Sequence, residues 1–64
     1  MILNHSRIYK HIKTGNLYTV VREVINSTNA NDGQVMIVYH NQDNQYFARE
    51  KEEFLSRFKM KKYE

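Results

Sequence analysis

The stretch at residues 17–40, LYTVVREVINSTNANDGQVMIVYH, decides the fold. It opens with LYTVVREVI, which is rich in the β-branched and aromatic residues that strands favour, and it closes with VMIVYH, the most apolar run of the chain. Between them, residues 26–33 contain no large apolar side chain and end in Asp-Gly, as is typical of an exposed loop. The stretch therefore predicts strands at 17–25 and 35–40, joined by a loop in which Gly33 takes a positive φ angle.

The first predicted strand carries apolar side chains on both of its faces. Strict alternation divides its residues between Tyr18, Val20 and Val24 on one face and Leu17, Thr19, Val21 and Ile25 on the other. A strand buried on one side only would alternate more cleanly between apolar and polar residues. We therefore expect either a curved strand, as in a small barrel, or a strand that contains a β-bulge.

Shorter strands are predicted on either side of this pair. In residues 7–12 (RIYKHI), one face carries Ile8, Lys10 and Ile12 and the other carries Arg7, Tyr9 and His11, which reads as a strand leading into the turn signal Thr14-Gly15-Asn16. Downstream, residues 41–44 (NQDN) form a polar turn, and residues 45–49 (QYFAR) read as a strand that forms a hairpin with strand 35–40.

The C-terminal segment has a different periodicity. Phe54, Leu55 and Phe58 stand at helical spacing behind several early glutamates, which indicates a short helix or 3₁₀ turn within residues 50–58. Beyond it, Phe58 and Met60 alternate with lysines and predict a final strand. Together these pieces predict a mainly β fold: an SH3-like, partly open five-stranded barrel with one short helix or 3₁₀ turn near the C-terminus.

A chain of 64 residues is expected to be one domain, so residues 1–64 are interpreted as a single small β-barrel. A domain this short buries only about 60% of the surface that its unfolded chain exposes, so its core is thin. Because the chain has no cysteine, aromatic packing or self-association must supply the missing stability. Proline is absent too, so we expect lysines to guard the sheet edges; an open edge would invite pairing with a second copy.

The composition also indicates where the protein acts. The absence of cysteine suits a reducing compartment, and the N-terminal sequence MILNHSRIYKH lacks the apolar stretch of a secretory leader. The longest apolar run covers residues 35–39, far short of the roughly 20 residues that a membrane span needs. We therefore expect a cytoplasmic protein that does not insert into membranes.

Basic residues gather near the two ends of the chain, whose formal net charge is +3. Residues 1–22 include Arg7, Lys10, Lys13 and Arg22 but no acidic side chain. The basic residues of the other end are Arg57, Lys59, Lys61 and Lys62. If the fold brings the ends together, these side chains form one basic face; otherwise the terminal lysines merely solvate a frayed tail.

Several short motifs of the chain resemble those of a known family, and they occur in the same order as in that family. The matching residues are Tyr9-Lys10-His11, Lys13, Gly15, Leu17-Tyr18, Val20, Ile37-Val38-Tyr39, Tyr46-Phe47-Ala48-Arg49 and Phe54. The pattern resembles that of a family of small bacterial and phage proteins defined as a domain of unknown function, roughly Y-x-H-x-K-G-x-L-Y-x-V, then V-V-Y, then W-V-R-P and a phenylalanine. The resemblance implies a compact β domain of bacterial or phage origin, and it implies no enzymatic activity.

The chain departs from that pattern at several positions. Thr14 is inserted before the glycine, Phe47 stands near the usual tryptophan, and Glu50 replaces the proline after Arg49. The segment that follows Tyr39 is polar, where the family more often continues with an aromatic residue.

No residue pattern points to catalysis, a metal or a cofactor. The histidines His5, His11 and His40 lack the close spacing of metal ligands, and nothing around them resembles a catalytic triad. Gly15 and Gly33 are turn residues, since a phosphate-binding loop needs more glycines at the start of a helix. We therefore predict that the protein is not an enzyme, and we expect His11 to be a hydrogen-bonded structural residue.

The aromatic and basic side chains remain as candidates for binding a ligand or partner. A core this thin cannot hold every tyrosine, so some rings are expected to lie exposed beside a basic side chain, although each ring could instead be a half-buried barrel residue. Arg49 is singled out because its guanidinium suits recognition of carboxylates and other anions. The predicted binding residues are Tyr9, Tyr18, Arg22, Tyr46 and Arg49.

Two functions follow from these residues. The first is a non-enzymatic binding module that contacts a protein partner or a second copy of itself, in the manner of an accessory protein or inhibitor. The second is binding of an anionic ligand, a nucleotide or nucleic acid, between aromatic and basic side chains.

Overall fold

The computed structural model describes residues 7–30 and 32–61. Within them, five strands form one antiparallel sheet, and one short helix precedes the last strand. The elements are β1 (Ile8–His11), β2 (Leu17–Ile25), β3 (Val35–His40), β4 (Tyr46–Glu50), α1 (Lys51–Arg57) and β5 (Phe58–Met60). The sheet order is β4-β3-β2-β1-β5, and the sheet is not closed. The predicted mainly β fold with five strands and a short C-terminal helix is confirmed.

The predicted element bounds agree with the structure to within a residue or so at each end. β2 and β3 have the predicted bounds, while β1 and β4 each differ slightly from them. The two predicted turn glycines both have positive φ angles, 79° at Gly15 and 90° at Gly33. This conformation costs a glycine little because it has no Cβ atom.

A β-bulge interrupts β2. The pairing with β3 passes from Val20 opposite Tyr39 to Arg22 opposite Val38, so β2 advances by two residues while β3 advances by one. The extra residue is Val21, whose carbonyl accepts a hydrogen bond of 3.2 Å from Nη1 of Arg7. The expected bulge is therefore present in the strand.

The bulge corrects the assignment of faces in β2. Strict alternation places Val24 with Tyr18 and Val20, but Val24 pairs with Met36, which lies on the other face of β3 from Tyr39. The extra residue shifts the alternation by one position, so every side chain beyond it changes face.

The core lies between one face of the sheet and α1. Its buried side chains are Ile37, Tyr39, Phe54 and Phe58. Phe54 and Phe58 stand four positions apart, and their rings stack with centroids 4.2 Å apart. Tyr39 contacts both rings, at 5.0 and 5.2 Å. Phe54 of α1 and Phe58 at the start of β5 therefore close the core over the sheet.

The start of α1 is fixed by Glu50. Its carboxylate accepts hydrogen bonds from the backbone N–H groups of Glu52 and Glu53, each at 3.0 Å. These bonds satisfy donors that have no partner inside the helix. At seven residues, α1 is also too short to cross a membrane, and no other helix occurs in the described ranges.

Candidate functional site: an aromatic cleft beside Arg49

A cleft of about 150 Å³ opens on the face of the sheet that also carries the core. Side chains from all five strands line it: His11, Tyr18, Tyr39, Phe47, Arg49 and Phe58. The strand register explains their meeting, because His11 lies opposite Phe58, and Tyr39 lies opposite Phe47. Paired residues of antiparallel strands point to the same side of the sheet.

The ring of Tyr18 contacts three other aromatic rings of the cleft. Its centroid lies 5.5 Å from that of Tyr39, 5.3 Å from Phe58 and 6.2 Å from Phe47, and all three contacts are edge-to-face. Such arrangements are favourable because the positive ring edge meets the negative ring face. Phe47 is 39% exposed, whereas Tyr39 and Phe58 are buried, so Phe47 forms the outer rim of the cleft.

Arg49 places a cation on the rim of the cleft. Its Nε donates to the hydroxyl oxygen of Tyr39 at 3.4 Å, and its Nη1 lies 3.3 Å from Oε2 of Glu53. The same carboxylate oxygen accepts a hydrogen bond from Nε of Arg57 at 3.1 Å. The single carboxylate of Glu53 thus pairs with two guanidinium groups. The three side chains together keep a net positive charge beside the rings of the cleft.

The surroundings of Arg49 favour its charged form. The hydrogen bond with Tyr39 is the main cause that raises the pKa of Arg49; burial, the next largest effect, lowers it, and the attraction of Glu53 adds a smaller rise. The side chain is 35% exposed. An incoming anion can therefore reach a guanidinium that is permanently charged and held by two neighbours.

The His11 ring is held by its own turn, as expected for a hydrogen-bonded structural histidine. The backbone N–H of Thr14 donates to Nδ1 at 3.3 Å, and the Thr14 hydroxyl lies 3.1 Å from the same nitrogen. Because Nδ1 accepts, the neutral ring carries its proton on Nε2. The ring packs edge-on against Phe58, with centroids 4.9 Å apart.

The structure divides the predicted binding residues between the two faces of the sheet. Tyr18 and Arg49 line the cleft, and Tyr9 lies beside it, opposite Tyr18 and edge-on to Phe54 at 5.2 Å. Arg22 and Tyr46 lie on the other face. The bulge moves Arg22 there, and Tyr46 alternates with the cleft residues of β4 and packs on His40 at 5.1 Å.

Sequence reasoning did not select four of the cleft residues: His11, Tyr39, Phe47 and Phe58. A signal existed for Phe47, because it stands two positions before Arg49 on a strand and therefore shares its face. Phe58 gave no such signal, since only the return of β5 to β1 brings it to the cleft.

A second, basic cavity lies where β5 pairs with β1. Its volume is about 370 Å³, and it is lined by Lys10, Ile12, Lys59, Met60 and Lys61. Lys10 and Lys59 stand directly opposite each other in the ladder. The β1–β5 pairing therefore brings basic residues of the two ends of the chain together, while Lys62 lies outside the described residues.

No family model matches the chain, and comparisons with curated proteins and with solved structures return no match either. The resemblance to the family of small bacterial and phage proteins therefore stays a prediction. Across residues 7–30 and 32–61, no group of three or more His, Cys, Asp or Glu side chains is placed to hold a metal ion.

Proposed function

We propose that this protein is a non-enzymatic, SH3-like binding module of the cytoplasm that captures a short segment of a protein partner in the aromatic cleft. The segment presents an apolar side chain to the rings of Tyr18, Phe47 and Phe58 and a neighbouring carboxylate to Arg49. The observation that carries the proposal is the position of a charged, partly exposed guanidinium on the rim of a ring-lined cleft.

The size of the cleft favours a single side chain as its occupant. Its volume of about 150 Å³ is well below the range of about 300–1,000 Å³ that is usual for pockets of drug-sized ligands. A whole nucleotide would leave most of its surface outside the cleft. One apolar side chain of a peptide would be largely enclosed, as the anchor residues of protein interfaces are.

Charge favours an acidic segment. The formal net charge of the chain is +3, and the group formed by Arg49, Glu53 and Arg57 keeps one uncompensated positive charge. A carboxylate beside the anchoring side chain could pair with Arg49 through charge-assisted hydrogen bonds, which are the stronger class. An acidic partner would also be drawn toward the domain before contact.

A peptide titration tests this proposal. We would titrate short peptides that place Glu next to Phe or Leu, and the matched Gln peptides, while following the backbone amide signals by NMR. We expect the Glu peptides to shift the signals of Phe47, Arg49 and Phe58, and Arg49→Gln to weaken their binding about tenfold or more. Arg22→Gln is the matched control, because it removes an arginine from the opposite face, and it should leave the affinity unchanged.

Two results would contradict the proposal. Equal affinity for the Glu and Gln peptides would show that Arg49 does not bind the carboxylate of the peptide. Equal losses in Arg49→Gln and Arg22→Gln would show that general charge, and not the cleft, drives binding.

The basic cavity supports a second candidate function, the binding of an anionic ligand such as a nucleotide or nucleic acid. Like charges directly opposite in a ladder repel each other and are destabilising. A phosphate bound between Lys10 and Lys59 would neutralise this repulsion. Binding through phosphate contacts would weaken steeply between about 50 and 200 mM salt, and Lys59→Gln would reduce the salt dependence. A flat salt response of single-stranded oligonucleotide binding would exclude this function.

A further inference from the structure

The two edges of the sheet are protected differently. β5 forms one edge and carries Lys59, with Lys61 directly after it, which is the predicted lysine protection. β4 forms the other edge, and its first three residues, Tyr46, Phe47 and Ala48, are all exposed and carry no charge. No strand among the described residues pairs with the outer side of β4. Charged residues stand only at the C-terminal end of β4, where Lys51 follows directly, so its first three residues form the kind of open edge that invites pairing with another chain.

The register identifies the backbone groups at the open edge. The N–H of Asn41 donates to the carbonyl of Gln45 at 3.1 Å, so Gln45 faces β3. Because the direction of backbone bonding alternates along an antiparallel strand, Phe47 and Arg49 also face β3. Tyr46 and Ala48 therefore present their N–H and C=O groups outward, where a further strand can pair with them.

We propose that a second copy of this chain binds this edge, with the two β4 strands antiparallel about a two-fold axis at Phe47. This register places Tyr46 opposite Ala48 of the second copy, and Phe47 opposite Phe47 of the second copy. Both outward-facing residues then exchange backbone hydrogen bonds, and the two sheets join into one.

Side-chain chemistry supports a second copy as the occupant. The large ring of Tyr46 lies opposite Ala48 of the second copy, which is the smallest side chain of β4. The exposed ring of Phe47 lies opposite the same ring of the second copy, and the two can pack together. Arg49 faces Gln45 of the second copy, so the pairing creates no like-charge contact. The self-complementarity arises from the order of residues in β4 alone.

The ends of β4 select this register over its neighbours. If the centre of pairing moved toward the C-terminal end of β4, residues of the second strand would lie opposite α1, which begins at Lys51 directly after β4. A shift the other way would pair it with Asn44, whose φ angle of 62° is incompatible with an extended strand. Centring on Phe47 keeps the paired residues within positions 45–49.

The proposal does not depend on the peptide ligand of the cleft. The Ala48 side chain lies on the face opposite Arg49, because the two are neighbours on one strand. A substitution at Ala48 therefore tests the pairing without entering the cleft.

Sedimentation equilibrium over a range of concentrations, together with amide hydrogen exchange, tests the pairing. We expect twice the chain mass at high concentration, and protection of the Tyr46 and Ala48 amides that is lost on dilution. Ala48→Pro removes an outward N–H that β3 does not use, so it should give a folded monomer. Ala48→Lys adds an edge charge without altering the backbone and should weaken association at least tenfold, whereas Ala48→Ser should associate as the original chain does.

Two outcomes would overturn the proposal. One is a monomer at every concentration. The other is a dimer that persists in Ala48→Lys while the Tyr46 and Ala48 amides exchange freely, since the copies would then meet elsewhere. Binding of the Glu peptides to the cleft is measured separately in Ala48→Lys, so a failure of the cleft proposal stays distinguishable from a failure of the pairing.

Discussion

Glu50 joins β4 to α1, and its carboxylate caps the helix by accepting from two backbone N–H groups, those of Glu52 and Glu53. Glutamate is an uncommon residue for this role, which shorter polar side chains usually fill. A proline at position 50, as in the family pattern that the chain resembles, would offer no side-chain acceptor to these N–H groups.

Replacement of Glu50 tests the cap. Glu50→Ala should lower the free energy of unfolding by about 1 kcal/mol, because two N–H groups lose their acceptor. Urea unfolding followed by circular dichroism measures the change. Glu52→Ala removes an acidic side chain from the same turn but no cap, so it is the matched control; equal losses in the two variants would contradict the capping role.

At the scale of elements, an ion pair connects α1 to the middle of the sheet. Nζ of Lys51 lies 2.8 Å from Oε2 of Glu23. Glu23 reaches the helix side of the sheet only because the bulge at Val21 shifts the alternation of β2. The bulge thus both moves Arg22 away from the cleft and brings Glu23 to the helix.

This ion pair predicts a pH dependence. The hydrogen bond and charge attraction of Glu23 raise the pKa of Lys51 above its ordinary value. A raised pKa means that the stabilisation is fully present below the unfolded-state pKa of about 10.4 and is lost as the pH rises through the folded-state pKa. The stability difference between the original chain and Lys51→Gln should therefore be constant near neutral pH and shrink in strongly alkaline solution.

Measuring that difference at each pH cancels the contribution of every other titratable group, which both proteins share. Because both side chains are about half exposed, high salt at neutral pH should also reduce the difference. A difference that is independent of both pH and salt would show that Lys51 acts through packing instead of charge.

At the scale of the whole molecule, only a few side chains are buried among residues 7–30 and 32–61, so stability depends strongly on each of them. Phe54 is 1% exposed and contacts Tyr9, Tyr39 and Phe58. Domains of this length are usually stable by about 3–10 kcal/mol, and a buried Phe→Ala change costs about 3–5 kcal/mol. One substitution can therefore remove most of the stability.

Phe54→Ala should unfold much of the protein at room temperature, whereas Leu55→Ala, at a 50% exposed neighbour on the same helix, should change the stability by less than about 1 kcal/mol. Thermal unfolding followed by circular dichroism compares the two variants. If both lost the same stability, the aromatic core would not be the main support of the fold.

Local sequence patterns determined most of the elements. The bounds of β2 and β3 follow from their β-branched and aromatic runs, the turns from Gly15 and Gly33, and the helix from the spacing of Phe54 and Phe58. These signals act between residues close in the chain, so they can be recognised without knowing the fold. The mixed faces of β2 also indicated a bulge, but not which residue it would contain.

Only the tertiary structure decided which side chains share a site. The bulge at Val21 sent Arg22 to the far face, and the return of β5 to β1 brought Phe58 to Tyr18 and Arg49. Both effects depend on pairing between strands distant in the sequence, and a shift of one residue in that pairing exchanges the two faces. The sequence by itself therefore determined a mainly β fold of five short, aromatic strands, and the strand register decided where the cleft lies and which edge stays open.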